Sequence, residues 1–253
     1  MTELMTILIA GIFLPLFPMS MVFNAVLDNI KQAWLRVFLF TAWPLCGVSI
    51  VFYSNVTIPE WVVTLALLTS TLYALRMLTL REVNQWTGFL ATSLWSLLWL
   101  ALIHDTPEKL LYVYALSMTA PLVLLVMLSA GLENRFGAAY TGLYGGLART
   151  IPRFSGILVT VIVAAVATPL FPTFFIMFDM VVETISVMPI AAAALLLIWL
   201  LWSWAGALLI QGLIVGRASK IKIADINMPT ISFYSTALLV LAFAGIYMSG
   251  VIL

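Results

Sequence analysis

Apolar residues run along this chain in long unbroken stretches, near 5–27, 37–54, 59–76, 86–104, 109–131, 154–186, 189–215 and 230–252. Each approaches the ~20 residues that cross a bilayer as a helix. Membrane-spanning strands would instead alternate apolar and polar residues over ~10 positions, whereas these runs are apolar on every side. The pattern predicts an all-α, polytopic membrane helix bundle of about eight transmembrane helices. One run departs from it: 154–186 is interrupted by Thr168, Pro169 and Pro172. Proline removes a backbone donor and clashes with the preceding turn, so this segment is predicted to be one broken helix. Interrupted membrane helices often carry ion or substrate sites.

Composition agrees with the pattern, with 64% hydrophobic residues, 8% charged residues and a mean hydropathy of +1.17. The basic residues cluster between alternate apolar runs: Lys31 and Arg36, then Arg76 and Arg81, then Arg135, Arg149 and Arg153, then Arg217, Lys220 and Lys222. Such clusters mark cytoplasmic loops. They all fall on one side only if 154–186 crosses once, which places both termini outside. No basic start precedes the first apolar run, so it is read as a retained helix and not a secretory signal. No polar linker separates two folds, and residues 1–253 are expected to form a single transmembrane domain. Nothing of domain size is left to house a nucleotide, flavin or iron–sulfur group. Gly145-Gly146 is too little for a phosphate loop, and neither a cofactor nor a nucleic-acid partner is expected.

Few side chains could carry chemistry. Asp179 and Glu183 lie i,i+4 on one side of the second half-helix, and an intramembrane carboxylate marks a candidate functional site. No basic residue within the helices offers itself as their partner. His104 closes a helix beside Asp105, and histidine can titrate near neutral pH, although a lone interfacial histidine is more often a solvated helix end. Glu108 and Lys109 read as boundary residues that snorkel, Arg149 and Arg153 as cytoplasmic anchors of the broken helix. Cys46, the single cysteine, reads as a small core residue. One histidine and one cysteine make no metal site. Trp86, Trp95, Trp99, Trp202 and Trp204 are expected to anchor and pack. Ala205, Gly206, Gln211 and Gly212 offer a small face for a neighbouring helix of this chain or of a partner. Residues 221–228 read as a loop.

Several motifs nevertheless carry a resemblance. Leu80-Arg81-Glu82-Val83-Asn84-Gln85-Trp86-Thr87 enters a helix, Leu132-Glu133-Asn134-Arg135 follows, then Gly145-Gly146-Leu147-Ala148-Arg149 with Pro152-Arg153, then Thr168-Pro169 and Phe174-Phe175. In order and spacing this resembles the antiporter-like membrane subunits of respiratory complex I, shared with multisubunit sodium/proton antiporters, membrane-bound hydrogenases and inorganic-carbon transporters. The resemblance implies a bundle equivalent to half of such a subunit, with the first inverted repeat missing. Residues 1–75 would be opening helices, 76–217 the retained repeat, and 218–253 a basic loop and closing helix. At the positions where the family carries titratable groups, this chain has Ala91, Ser117 and Met177.

The resemblance implies a membrane subunit, not itself an enzyme, in the inner (plasma) membrane of a bacterium. Its partners would be membrane lipid and a full-length antiporter-like or substrate-handling subunit. It would be mainly structural, with Asp179, Glu183, Ser117 and His104 as the remaining ion-pathway candidates. The alternatives are a self-sufficient secondary ion transporter using Asp179 or Glu183, and an assembly factor.

Overall fold

A computed structural model describes residues 2–54, 56–104, 106–142, 146–216 and 224–252. The chain opens with α1 (Thr2–Phe13), α2 (Met21–Asn29), α3 (Ala33–Ser54) and α4 (Glu60–Met77). Then come α5 (Val83–Ser96), α6 (Leu98–Ile103), α7 (Glu108–Phe136) and the single turn α8 (Leu147–Thr150). It closes with α9 (Pro152–Ala165), α10 (Pro172–Val187), α11 (Pro189–Ile214) and α12 (Met228–Ile252). Among the described residues no strand forms, and one isolated bridge pairs Glu82 with Tyr140. Five helical runs are long and apolar enough to cross a membrane unaided: α3, the α5–α6 run, α7, α11 and α12. The protein is an all-α integral membrane bundle.

The interrupted segment forms as expected. α9 ends at Ala165 and α10 starts on Pro172, with Ala167 and Leu170 between them at φ of 58° and 96°. That the two halves make one passage follows from their neighbour α11. Near its middle Trp199 donates to the Ala167 carbonyl (2.8 Å), while farther along Gly206 meets Val166 and Ile162 and Gly212 meets Thr141. Phe174 of α10 packs on the same Trp199, so one continuous helix runs along both halves. Gly206 and Gly212 of the small face on α11 thus pack within this chain, while Gln211 is exposed.

The first apolar run differs from expectation, because α1 and α2 are separated by a turn over 14–20 that contains Pro15 and Pro18. Two rigid rings three residues apart cannot be held by one continuous α-helix. Backbone groups freed in a membrane must find partners inside the protein, and side chains supply them. Trp43 donates to the Ile12 carbonyl (3.0 Å), Trp99 to that of Leu14 (2.9 Å), and the Phe17 amide to Thr69 Oγ1 (2.9 Å). Thr168 Oγ1 does the same for Val163 (2.9 Å) at the later break. Trp86, Trp95, Trp99 and Trp202 are fully buried, while Trp204 faces outward. Three tryptophans, two of them at the first break, are therefore hydrogen-bonding caps as well as packing groups.

Arg36, expected in a loop, lies inside α3 and is buried. Its Nη1 donates to both oxygens of Glu133 on α7 (3.1 and 3.2 Å) and its Nε to the Ile30 carbonyl (2.7 Å). Asn84 of α5 also donates to Glu133, and Ser129 donates to Asn84. A charge buried this deeply is tolerable only when paired and hydrogen-bonded, and this network ties α3, α5 and α7 together. At the same end Tyr140 donates to Glu82 (3.0 Å), and that bond, with the carboxylate's charge, holds the phenol above its ordinary pKa. Cys46, expected in the core, is exposed on α3, because Pro44, Gly47 and Val48 occupy the buried face of that turn.

Asp225, read as part of a loop, accepts from the amides of Arg153 (2.8 Å) and Phe154 (3.1 Å). It neutralises the otherwise unsatisfied amides at the start of α9. The side chains of Arg149 and Arg153 are exposed, as an anchoring position requires. Arg217, Lys220 and Lys222 lie outside the described residues.

Candidate functional site

The titratable side chains expected of an ion path gather where α6, α7 and α10 meet. Asp179 is half-buried on α10, about 12 Å before that helix ends at Val187, given 1.5 Å per residue. Its carboxylate accepts from the Tyr114 hydroxyl of α7. Tyr114 is buried, so the carboxylate missing a basic partner has a phenolic one. Glu183, one turn farther on, is exposed. Between them and the end of α6, His104 Nε2 lies 3.1 Å from the buried Thr184 Oγ1. His104, the residue that caps α6, is half-buried. Neither Tyr114 nor Thr184 was legible beforehand, since a lone tyrosine or threonine in an apolar run has many ordinary explanations.

Ser117 takes a different partner. Its Oγ lies 3.8 Å from the Met248 sulfur of α12. Asp105, the sequence neighbour of His104, lies outside the described residues. No group of three or more metal-ligating side chains comes together among the described residues.

The inner side of this cluster is closed. Ile176, Met177 and Met180 are fully buried on α10, and Ala91 is buried on α5. From there toward the Arg36–Glu133 network, the buried polar groups are hydroxyls and indoles. Trp95 donates to Thr119 (3.0 Å), Trp202 to Ser93 (2.8 Å), and Ser93 pairs with Ser70 (2.8 Å). Among the described residues Arg36 is the one buried charged side chain. Among the described residues no chain of carboxylates, lysines or histidines continues inward from Asp179.

Comparison with solved structures adds the fold's lineage. A chain of respiratory complex I from Thermus thermophilus superposes with a TM-score of 0.84 at 20% identity, over 97% of this chain and 54% of that one. The chain has the fold of the antiporter-like membrane subunits. A chain of the Mrp complex from a Dietzia species matches at TM-score 0.79 and 13% identity, covering 96% and 55% of the two chains. One from the membrane-bound sulfane sulfur reductase, an archaeal respiratory membrane complex, matches at 0.80 and 15%, covering 95% and 51%. The chain therefore spans about half the length of the solved chains it matches. A protein of Aquifex aeolicus described as uncharacterized is 26% identical over 201 residues, 79% of this chain and 81% of that one. No protein-family model matches.

Proposed function

We propose that this chain is a membrane subunit of a larger complex coupled to a proton or cation gradient, built mainly to shape an interface and at most to contribute part of an ion path. The observation that carries this reading is the closed core. Met177, where the family resemblance places a charge, is fully buried among apolar groups, and Asp179 ends in contact with a phenol, with no further buried charged carrier behind it among the described residues. A relay across a membrane needs titratable groups or water within hydrogen-bond reach along its length. The fold shared with chains from three multi-subunit complexes supports a complex as the setting. Redox or carbon-handling chemistry, and any cofactor, would belong to a partner. The host could be a complex I-like oxidoreductase, a cation/proton antiporter or a proton-driven inorganic-carbon transporter.

Purification of the tagged chain in mild detergent should recover stoichiometric partner subunits, one of them a full-length antiporter-like chain. Protein recovered alone that conducts cations in liposomes would overturn the reading. It would favour the second one, a self-sufficient transporter using Asp179 and Glu183, which the Asp179–Tyr114 contact supports. Asp179→Asn separates the two: the assembled complex should keep its coupled activity within about twofold, whereas a transporter relying on that carboxylate should lose most of it.

A further inference from the structure

Pro15-Leu16-Phe17-Pro18, which separates α1 from α2, recurs as Pro169-Leu170-Phe171-Pro172 between α9 and α10. The surroundings recur with it. Each break is followed by a long helix whose eleventh residue is a tryptophan, Trp43 on α3 and Trp199 on α11. Each indole donates to a carbonyl just ahead of the proline pair, that of Ile12 (3.0 Å) or Ala167 (2.8 Å). Trp43 lies about 15 Å from either end of α3 at ~1.5 Å per residue, and α3 is long and apolar enough to cross the membrane. The first break therefore sits near mid-depth.

What covers the two breaks differs. α12 lies across the second, with Gly245 seated on the Leu170 carbonyl where a Cβ would collide, and Phe171, Pro172 and Thr173 are buried. Their counterparts in the first break lie open: Pro18 is exposed, and Phe17 and Met19 are half-buried. α10 is held by α7, α11 and α12, whereas α2 packs chiefly on α5. The Phe17 carbonyl and the Met19 amide, on either side of the exposed proline, have no hydrogen-bond partner among the described residues. Acyl chains offer neither donor nor acceptor, and irregular backbone at this depth persists only under protein or water. An intact apolar helix needs no such cover; this turn does. Pro18, Met21, Val22 and Ala25 are exposed together at helical spacing, and the small Ala25 lets another helix approach closely.

We infer that the first break and the open face of α2 dock a transmembrane helix of a partner subunit. That helix presents a small residue to the turn, as Gly245 does at the second break, and a hydroxyl or amide side chain that donates to the Phe17 carbonyl and accepts from the Met19 amide. The inference rests on the complex proposed above. Photo-crosslinking in the native membrane tests it, with p-benzoylphenylalanine in place of Met21 and, as controls, of Leu68 on α4 or Leu200 on α11, which are similarly exposed but border no break. Met21 should crosslink to a transmembrane segment, identified by mass spectrometry, of a subunit recovered stoichiometrically with the chain. The controls should not reach that segment. Val22→Trp, which blocks close approach, should lower recovery of the subunit ~10-fold, and Leu68→Trp should leave it unchanged. Partners recovered without a crosslink at Met21, or equal crosslinks at all three positions, would overturn the inference and leave the complex standing. A chain recovered alone would overturn both. A crosslink to a second copy of this chain would overturn the partner's identity, and labelling of Met19→Cys, in a Cys46→Ser background, by a membrane-impermeant maleimide would show water in the helix's place. Should the Met21 variant fail to assemble, the same crosslinker at the exposed Val22 decides.

Discussion

Removing Glu133 should expose how much the bundle depends on the partly buried Arg36–Glu133 ion pair. The carboxylate accepts two bonds from Arg36, at 3.1 and 3.2 Å, and one from Asn84. In Glu133→Leu the guanidinium would be left with the Ile30 carbonyl as its remaining acceptor. Breaking a buried pair on one side costs ~3–5 kcal/mol, chiefly because the surviving charge is stranded. The Glu133 side chain is 28% exposed against 11% for Arg36, so solvent screens part of the interaction and ~2–3 kcal/mol is the expected loss. Unfolding by sodium dodecyl sulfate in mixed micelles, followed by circular dichroism, measures it. Adding Arg36→Met removes the stranded charge, so the double variant should recover at least ~1.5 kcal/mol, a coupling typical of residues in direct contact. A single variant within ~0.5 kcal/mol of the native chain, or a double variant that is merely additive, would refute the reasoning.

Two further variants probe the later helix break. Trp199→Phe keeps the aromatic edge against Phe174 but removes the donor to the Ala167 carbonyl, so it should cost ~1–2 kcal/mol in the same assay. Trp204→Phe, on the outward face, should cost little, and equal losses would show that the cap is unimportant. Gly245→Ala would put a methyl 2.2 Å from the Leu170 carbonyl oxygen. With Leu170 already at positive φ, neither backbone can easily retreat, and a loss of ~2–3 kcal/mol is expected. Gly250→Ala, which meets open space, is the control, and matching melting temperatures for the two would refute the contact.

The break at Thr168-Pro169 was readable because proline acts locally, whatever surrounds it. The break at Pro15 and Pro18 carries the same local signal, with Ser20 beside it, but it sits in an apolar run whose whole length, 5–27, matches a single crossing. Asp179, Glu183 and His104 were legible because ionisable groups are rare in membrane segments. Their grouping was not, since it depends on how α6, α7 and α10 pack. Tyr114 lies 65 residues from Asp179 along the chain and reaches it only across a helix interface. Trp86, Trp95, Trp99 and Trp202 looked alike as anchors. In the folded chain three of them have partners and one does not, a distinction no local pattern contains.

By itself the sequence determined the solvent, the helices, the segregation of basic residues, the later break and the likeness to antiporter-like subunits. Each is a property of single residues or of short runs in a low-dielectric medium, where an unbroken helix satisfies its backbone groups within its own segment. Tertiary structure decided which groups meet: the burial of Arg36 against Glu133, the Asp179–Tyr114 contact, the tryptophan caps, and the Trp86 donor buried without a partner among the described residues. Those pairings join residues far apart in the chain. They are set by interhelical packing and by the cost of leaving a buried polar group unpartnered, and neither exists before the helices come together.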